Sequence, residues 1–313
     1  MKLSVIIPCY NSTPILRVLI EETKAVLKTL PIDDHEFILV NDGSPNAQTL
    51  PFLRQLAEEF SDITLVDLVK NTGQANAQVA ALHYVTGDVV VNMDDDMQTH
   101  PKNIPVLFNK LMEGYDLVLG KYPTKHHAFY RNLMTQMDNI FETVFINRPK
   151  DIAFTSFWIV RRYVVDEMIK YDLPYSFMEG LFLRTAGKIA NVEIPHFDRV
   201  EGSSGYSIGK LFKLWSNFTG FTVKPLRIAG VIGVLVSIGA FIWAIVLLIR
   251  RLTGDIQPGY TSLMCMMLLT LGMVLFFMGL VGEYVGRIFL AVSKTPQYVV
   301  KQVYKSEEKQ DEA

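Results

Sequence analysis

Three consecutive carboxylates, Asp94-Asp95-Asp96, followed by Met97 and Gln98, are the residues of this sequence best suited to chemistry. Along extended backbone successive side chains alternate, so Asp94, Asp96 and Gln98 are expected on one side and Asp95 on the other. Two carboxylates and an amide oxygen suit a hard divalent ion, Mg²⁺ or Mn²⁺, and such an ion would neutralise a diphosphate leaving group. A solvated turn explains an acidic triplet equally well, so the neighbouring clusters decide. Pro8-Cys9-Tyr10-Asn11, Asn41-Asp42-Gly43-Ser44 and Asn71-Thr72-Gly73-Gln74 each follow a short apolar run or precede a helical pattern. Asp42 could accept hydrogen bonds from a nucleobase or ribose, and Tyr10 could pack against the base. Each cluster alone is an ordinary turn. Three of them at successive strand ends, together with the acidic triplet, point to one cleft.

The elements that must position these residues are legible as short apolar runs. LSVIIP (3–8), EFILVND (36–42), ITLVDL (63–68), DVVVNMD (88–94) and YDLVLG (115–120) read as strands. Helical patterns at 14–29, 46–60, 74–85 and 102–113 separate them. That alternation predicts an α/β domain with a mostly parallel, Rossmann-like sheet covered on both faces. Ligands of such sheets bind at the carboxyl ends of the strands, where the polar clusters fall. Two further stretches are amphipathic. Residues 133–145 are expected to pack in a core. Residues 208–221 carry Trp215 and lysines just before a long apolar segment, as a helix lying in a lipid interface does.

Composition sets the outer bounds. The chain has 313 residues, 50% of them hydrophobic and 20% charged, with a mean hydropathy of +0.22. These values exclude a disordered, collagenous or disulfide-scaffold protein. Thirty Lys+Arg against 32 Asp+Glu leave no basic excess for duplex nucleic acid. Cys9 and Cys265 sit far apart in apolar runs and read as buried thiols. The hydrophobicity is uneven. Ile228–Ile249 and Tyr260–Gly282 are uncharged stretches of 22 and 23 residues, each about 33 Å long as a helix, enough to cross a hydrocarbon core of about 30 Å. Lys210, Lys213, Lys224 and Arg227 precede the pair, and Arg287, Lys294, Lys301 and Lys305 follow it, so both termini are expected in the cytoplasm. The first apolar run is short and meets Pro8, unlike a signal peptide. The expected organisation is a catalytic α/β domain (1–205), an interfacial helix (206–226), two transmembrane helices (227–250 and 260–282) and a cytoplasmic tail (283–313).

In order along the chain, SVIIPCYN, VNDGS, NTGQ, DDDMQTHP and GYDLVLG resemble the GT-A fold family 2 glycosyltransferases. Beyond them, Arg199-x-x-Gly202-x-Ser204-x-Tyr206, then KPLRIAG, GLVGEYVGRIF and KTPQYVV, resemble the bacterial polyprenyl-phosphate glycosyltransferases. These include the bactoprenol glucosyltransferases and the undecaprenyl-phosphate aminoarabinose transferases; dolichyl-phosphate mannose synthase is a more distant relative. The resemblance implies an inverting transfer from a nucleotide sugar, a UDP-sugar by preference, to the phosphate of a membrane polyprenol. The enzyme would be a multi-pass protein of the bacterial inner membrane, and relatives suggest a homo-oligomer. By the same resemblance Asp94, Asp96 and Gln98 would hold the metal. Pro8, Tyr10, Asn11, Asp42 and Asp95 would hold the nucleotide. Arg131 and Arg199, with Ser204 and Tyr206, would meet the acceptor phosphate.

Three positions depart from the pattern. Ser12 stands where many relatives have Glu, Ser156 replaces the Asp of a Gly-Asp-Phe, and Gly205 replaces a Lys. Asp151, near Ser156 in sequence, is the candidate to supply the missing carboxylate, and Lys210 the missing cation. A phosphate monoester is already mostly a dianion at pH 7, since its second pKa is about 6, so it needs cations more than a base. Ser156 and Gly205 are the grounds for an alternative, a non-catalytic membrane scaffold; the intact acidic cluster argues against it. A processive polysaccharide synthase is disfavoured by the two spans and because none of Trp158, Trp215 or Trp243 follows an arginine.

Overall fold

A computed structural model describes residues 1–97, 99–122, 143, 147–171, 177–195, 222–252 and 259–305. The second amphipathic stretch, 208–221, and all of the first except Thr143 lie outside them. The chain divides into two compact units, Met1–Tyr206 with Thr295–Ala313, and Ser207–Lys294.

In the first unit all five apolar runs are strands: β1 (Lys2–Cys9), β2 (Asp34–Asn41), β3 (Ile63–Leu68), β4 (Val89–Asn92) and β5 (Leu117–Lys121). The four helical patterns between them become α1 (Ile15–Leu27), α2 (Thr49–Glu59), α3 (Gln74–Leu82) and α4 (Ile104–Met112). Three strands were not foreseen, β6 (Trp158–Arg161), β7 (Ile189–Glu193) and β8 (Val300–Lys305), nor were α5 (Arg162–Met168) and α6 (Met178–Thr185). The sheet order is β7-β5-β6-β4-β1-β2-β3-β8. β4, β1, β2 and β3 are mutually parallel, while β6 and β8 run against their neighbours. Both faces of the central strands are covered, which is why these runs are almost continuously apolar; Val5, Ile6, Ile7, Phe37, Ile38 and Leu39 are wholly buried. Parallel register brings the ends of β1, β2 and β4 to one edge of the sheet: Cys9 pairs with Asn41, and Ile6 with Asn92.

Charged groups are buried in this sheet too, among them Asp67 of β3 and Glu36 of β2. Glu36 accepts from Ser4 Oγ at 2.6 Å, from Thr86 N at 2.6 Å and from Thr86 Oγ1 at 2.8 Å, and lies 3.1 Å from Lys2 Nζ. Burial pushes the carboxyl's pKa up, but the Ser4 and Thr86 donors and Lys2 outweigh it, and the net shift is downward. A depressed folded pKa contributes stability above the unfolded value, lost as pH falls through the folded one. Glu36→Ala leaves these donors and the ammonium without their acceptor and is expected to cost about 3 kcal/mol. A thermal melt of the detergent-solubilised protein at pH 7 checks this.

Part of the segment expected as a cytoplasmic tail, 283–313, is the strand β8. Residues up to Val292 continue a helix, and Val300–Lys305 pairs antiparallel with β3, Leu65 facing Tyr304 and Val66 facing Val303. The Tyr304 ring packs under the Arg54 guanidinium of α2, 4.3 Å from centroid to carbon, and the Arg54 guanidinium donates to its hydroxyl. Val69 N donates to Val299 O at 3.0 Å, extending the pairing by one bond.

The second unit is a helical pair, α7 (Lys224–Leu252) and α8 (Tyr260–Val292). Both are long and apolar enough to cross a membrane, and they expose large side chains such as Leu235, Phe241, Phe276 and Phe289. Lipid tolerates such surfaces and water does not. α8 runs past the predicted end at Gly282 because the charges there are paired: Arg287 Nη2 lies 2.6 Å from Glu283 Oε1, one turn away. Tyr284 donates to the Thr222 carbonyl at 2.7 Å, tying the two helix ends together.

Candidate active site

The ends of β1, β2 and β4 and the loop before α3 enclose a cleft of about 370 Å³. It is lined by Pro8, Cys9, Tyr10, Asp42, Asn71, Gly73, Gln74 and the three acidic residues Asp94, Asp95 and Asp96. The sequence-predicted residues of β1, β2 and β4 thus converge. One expectation about them is corrected. β4 stops at Asn92 and the chain turns at Asp95-Asp96, with Met97 at φ 59°. The backbone is not extended there, so the alternation that turned Asp95 away does not operate, and all three carboxylates reach the cleft.

The wall opposite the triplet is built by Asp42. Its carboxylate accepts from Thr72 N at 2.7 Å, Thr72 Oγ1 at 3.0 Å and Gly73 N at 2.9 Å. It therefore fixes the loop that starts α3, and three of about four acceptor positions are used. Two glycines take backbone conformations this wall requires. Gly43 has φ +56°, and a Cβ there would lie 2.3 Å from the Lys70 carbonyl carbon. Gly73 has φ +90°, a conformation few other residues adopt. Asn11, also at positive φ, is locked by Ser44: its N–H donates to Ser44 Oγ at 3.0 Å, and Ser44 donates to Asn41 Oδ1 at 2.6 Å. Tyr10 lines the cleft and stands 48% exposed.

Hydroxyls and an amide hold the acidic floor. Ser156 Oγ donates to Asp94 Oδ2, Gln74 Nε2 donates to Asp94 Oδ1 at 2.7 Å, and Ser12 Oγ donates to Asp95 Oδ2. Burial pushes the Asp94 carboxyl up to about 6, opposed by the Ser156 hydrogen bond and reinforced by the charges of Asp96 and Asp95. Asp95 is raised by burial and then by Asp96, with Ser12 working against the shift. The Tyr122 hydroxyl, just past β5, is driven well above its usual range by burial and by the charges of Asp94 and Asp96. Tyr122, Gln74 and the two serines are parts of the site that sequence reasoning had not assigned. The signal for Tyr122 was its place one residue beyond a strand end.

These residues suit a divalent ion in chemistry. Among the described residues no three His, Cys, Asp or Glu converge into a complete cage. Mg²⁺ needs none, because it takes one or two carboxylates and completes its shell with water and substrate phosphates. A recessed, like-charged carboxylate group carries an electrostatic cost that such a cation relieves. The raised Asp94 pKa sets a pH dependence. Its ionised form is disfavoured on folding, so this group's contribution to stability falls as pH rises from about 4 to about 6. Cation binding needs the ionised form and runs the other way. Mn²⁺ affinity is expected to drop toward tenfold per pH unit below about 6, which calorimetric titration from pH 5 to 7.5 would measure.

The other nominated residues lie elsewhere. Asp151 faces a second cleft of about 450 Å³, with Tyr115, Lys188 and Ile189 at the amino-terminal ends of β5 and β7. The strand ends around the acidic cleft are carboxyl ends, and Asp151 is not among the residues that line it. Gln98, Arg131, Arg199, Ser204, Tyr206 and Lys210 lie outside the described residues.

Comparison with known proteins adds to this geometry. Residues 4–169 match the family Glycosyl transferase family 2, and residues 224–288 match the GtrB C-terminal hairpin. The chain is 30% identical over 306 residues to an undecaprenyl-phosphate 4-deoxy-4-formamido-L-arabinose transferase of Photorhabdus laumondii, covering 96% of this chain and 94% of that protein. Among solved structures it is similar to glucosyl-3-phosphoglycerate synthase of Mycobacterium tuberculosis in complex with Mn²⁺, UDP-glucose and phosphoglyceric acid. The identity is 17% and the TM-score 0.48, over 71% of this chain and 79% of that one. S. aureus TarS 1-349 is similar at 17% identity and a TM-score of 0.42, over 70% and 64%. With an acidic cleft at the carboxyl ends of a GT-A-like sheet and, later in the chain, an apolar helical hairpin, this chain belongs to glycosyl transferase family 2, among the enzymes related to the polyprenyl-phosphate sugar transferases.

Proposed function

We propose that the protein transfers a sugar from a UDP-sugar to undecaprenyl phosphate, with inversion at the anomeric carbon, for cell-envelope glycan synthesis or modification. The observation that carries this reading is the near full-length similarity to an undecaprenyl-phosphate sugar transferase, hairpin included. The acidic cleft supports it with the right chemistry. Tyr10 offers a face to the base, and Pro8, Asn11, Asp42 and Asp95 surround the nucleotide. Asp94 and Asp96, with Gln98, would hold Mg²⁺ or Mn²⁺, which when bound offsets the charge of the departing diphosphate.

The acceptor phosphate is its own nucleophile. Near pH 7 it is mostly a dianion, so no residue has to remove a proton from it. That fits a serine at position 156. Arg131, Arg199, Ser204, Tyr206 and Lys210 are proposed to receive the acceptor phosphate and screen its repulsion from the donor.

Chain connectivity supports a membrane topology. The first unit includes residues on both sides of the helical pair, because β8 pairs with β3. Two crossings return the chain to the face it left. The lysines and arginines flanking the pair favour the cytoplasmic face of a bacterial inner membrane, where nucleotide sugars are made.

The test is a panel of radiolabelled UDP-, GDP- and dTDP-sugars offered with undecaprenyl phosphate and Mg²⁺ or Mn²⁺ to membranes containing the protein. A lipid-linked product from a UDP-sugar is expected. No product from any donor would overturn the reading.

A further inference from the structure

We propose that Ser156 is a positioning residue of the donor site: with Gln74 it fixes the orientation of the Asp94 carboxylate toward the diphosphate-bound cation. The inference rests on the function proposed above and concerns a position where the resemblance leads one to expect a carboxylate.

The geometry is that of a clamp. Ser156 immediately precedes Phe157 and β6, and its backbone is held on both sides. Its carbonyl accepts from the side-chain amide of Asn92, a wholly buried residue at the end of β4. Thr155 Oγ1 donates to the Gly120 carbonyl at 2.8 Å, and Gly120 N donates to the Phe157 carbonyl at 2.9 Å. Phe157 and Trp158 are buried, and Trp158 packs edge-on against Phe182 with centroids 5.0 Å apart. A serine side chain has one heavy-atom torsion, so anchoring this backbone places the hydroxyl within narrow limits. That hydroxyl meets one oxygen of Asp94, and Gln74, the first residue of α3, meets the other. The carboxylate is thus strung between two elements that approach from opposite sides.

The identity of the clamp matters as much as its position. Both donors are neutral. They orient Asp94 and leave its negative charge in place for a cation, which a lysine or arginine would cancel. A carboxylate at position 156 would add a fourth negative charge to the cluster and would be repelled by Asp94 unless it held a proton. Ser12 holds Asp95 in the same manner. Partners that orient a ligating carboxylate are worth about 10–100-fold in metal affinity.

The experiment uses the full-length protein in detergent, with Mn²⁺ and UDP as probes, read by electron paramagnetic resonance, alongside transferase assays across Mn²⁺ concentration. Ser156→Ala is expected to weaken Mn²⁺ binding in the presence of UDP by about 10–100-fold. Its apparent KM for Mn²⁺ should rise in parallel, with kcat at saturating Mn²⁺ near the wild-type value. Ser156→Thr, which keeps the hydroxyl, should restore binding to within about threefold. Should Ser156→Ala not fold, Gln74→Met removes the other half of the clamp and is expected to weaken Mn²⁺ binding in the same sense. Wild-type Mn²⁺ affinity in Ser156→Ala, or in Gln74→Met where that variant is used, would overturn the inference, as would a loss confined to kcat. If the wild-type protein bound no Mn²⁺ with UDP, the donor-site reading itself would fail, a result distinct from either.

Discussion

Asp96→Ala is expected to reduce sugar transfer by roughly 10³-fold, a loss of about 4 kcal/mol of transition-state stabilisation. Asp96 lies in the turn after β4 and lines the cleft beside Asp94 and Asp95. As the proposed partner of Asp94 in holding the cation, it would act where charge develops on the departing diphosphate. That interaction grows in the transition state, so its loss falls on kcat as well as on donor binding. Folding should not suffer. Removing one of three neighbouring carboxylates relieves repulsion, and the melting temperature should be unchanged or slightly higher. Initial rates with the UDP-sugar found active by the donor panel, measured together with thermal melts, separate the two effects. Activity within threefold of wild type would remove Asp96 from the metal assignment.

The second large effect concerns the end of the chain. Ending the protein at Lys294 removes β8 and exposes the edge of β3. β3 is buried along its length, and Leu65 and Val66 are among its wholly covered residues. The deletion takes with it the β3–β8 ladder, the Val69–Val299 hydrogen bond and the Tyr304–Arg54 contacts. About five backbone hydrogen bonds at a net 1 kcal/mol each give about 5 kcal/mol, or roughly 10–20 °C in melting temperature for a domain of this size. An uncovered apolar strand edge also invites pairing with other chains. The truncated protein is therefore expected to aggregate on extraction, and size-exclusion chromatography with a thermal melt checks it. A monodisperse truncated protein with an unchanged melt would show that β8 is dispensable.

Much of the core was legible because its signals are local. Strands β1 to β5 announced themselves as apolar runs, since strands covered on both faces must be apolar throughout. The acidic triplet, Asp42 and Tyr10 stood at strand ends, where parallel sheets bind ligands. The later strands lacked those signals. β6 has four residues, β7 is only partly buried and β8 is a charged edge strand, VKQVYK. Of the three only β6 is a continuous apolar run, Phe157 to Val160, and it is short and stands apart from the strand–helix alternation.

The site divides in the same way. That Asp94 and Asp96 face a cleft followed from their type and place. That Asp95 faces it too depended on a turn with Met97 in a left-handed conformation, which no alternation rule contains. Asp151 seemed a neighbour of Ser156 because only four residues lie between them, yet Asp151 lines the cleft at the amino-terminal ends of β5 and β7 while Ser156 meets Asp94.

By itself the sequence determined composition, the positions of strands and long apolar helices, and the chemical types gathered at the strand ends. These depend on residues close together in the chain. Only the tertiary structure decided which hydroxyl meets which carboxylate, which carboxylate belongs to the cleft, and where the residues after the hairpin go. Ser156 reaches Asp94 across 62 residues, and Lys305 pairs with Thr64. Such contacts arise from chain closure and packing, in which many segments compete for the same surface, and no local pattern records the outcome.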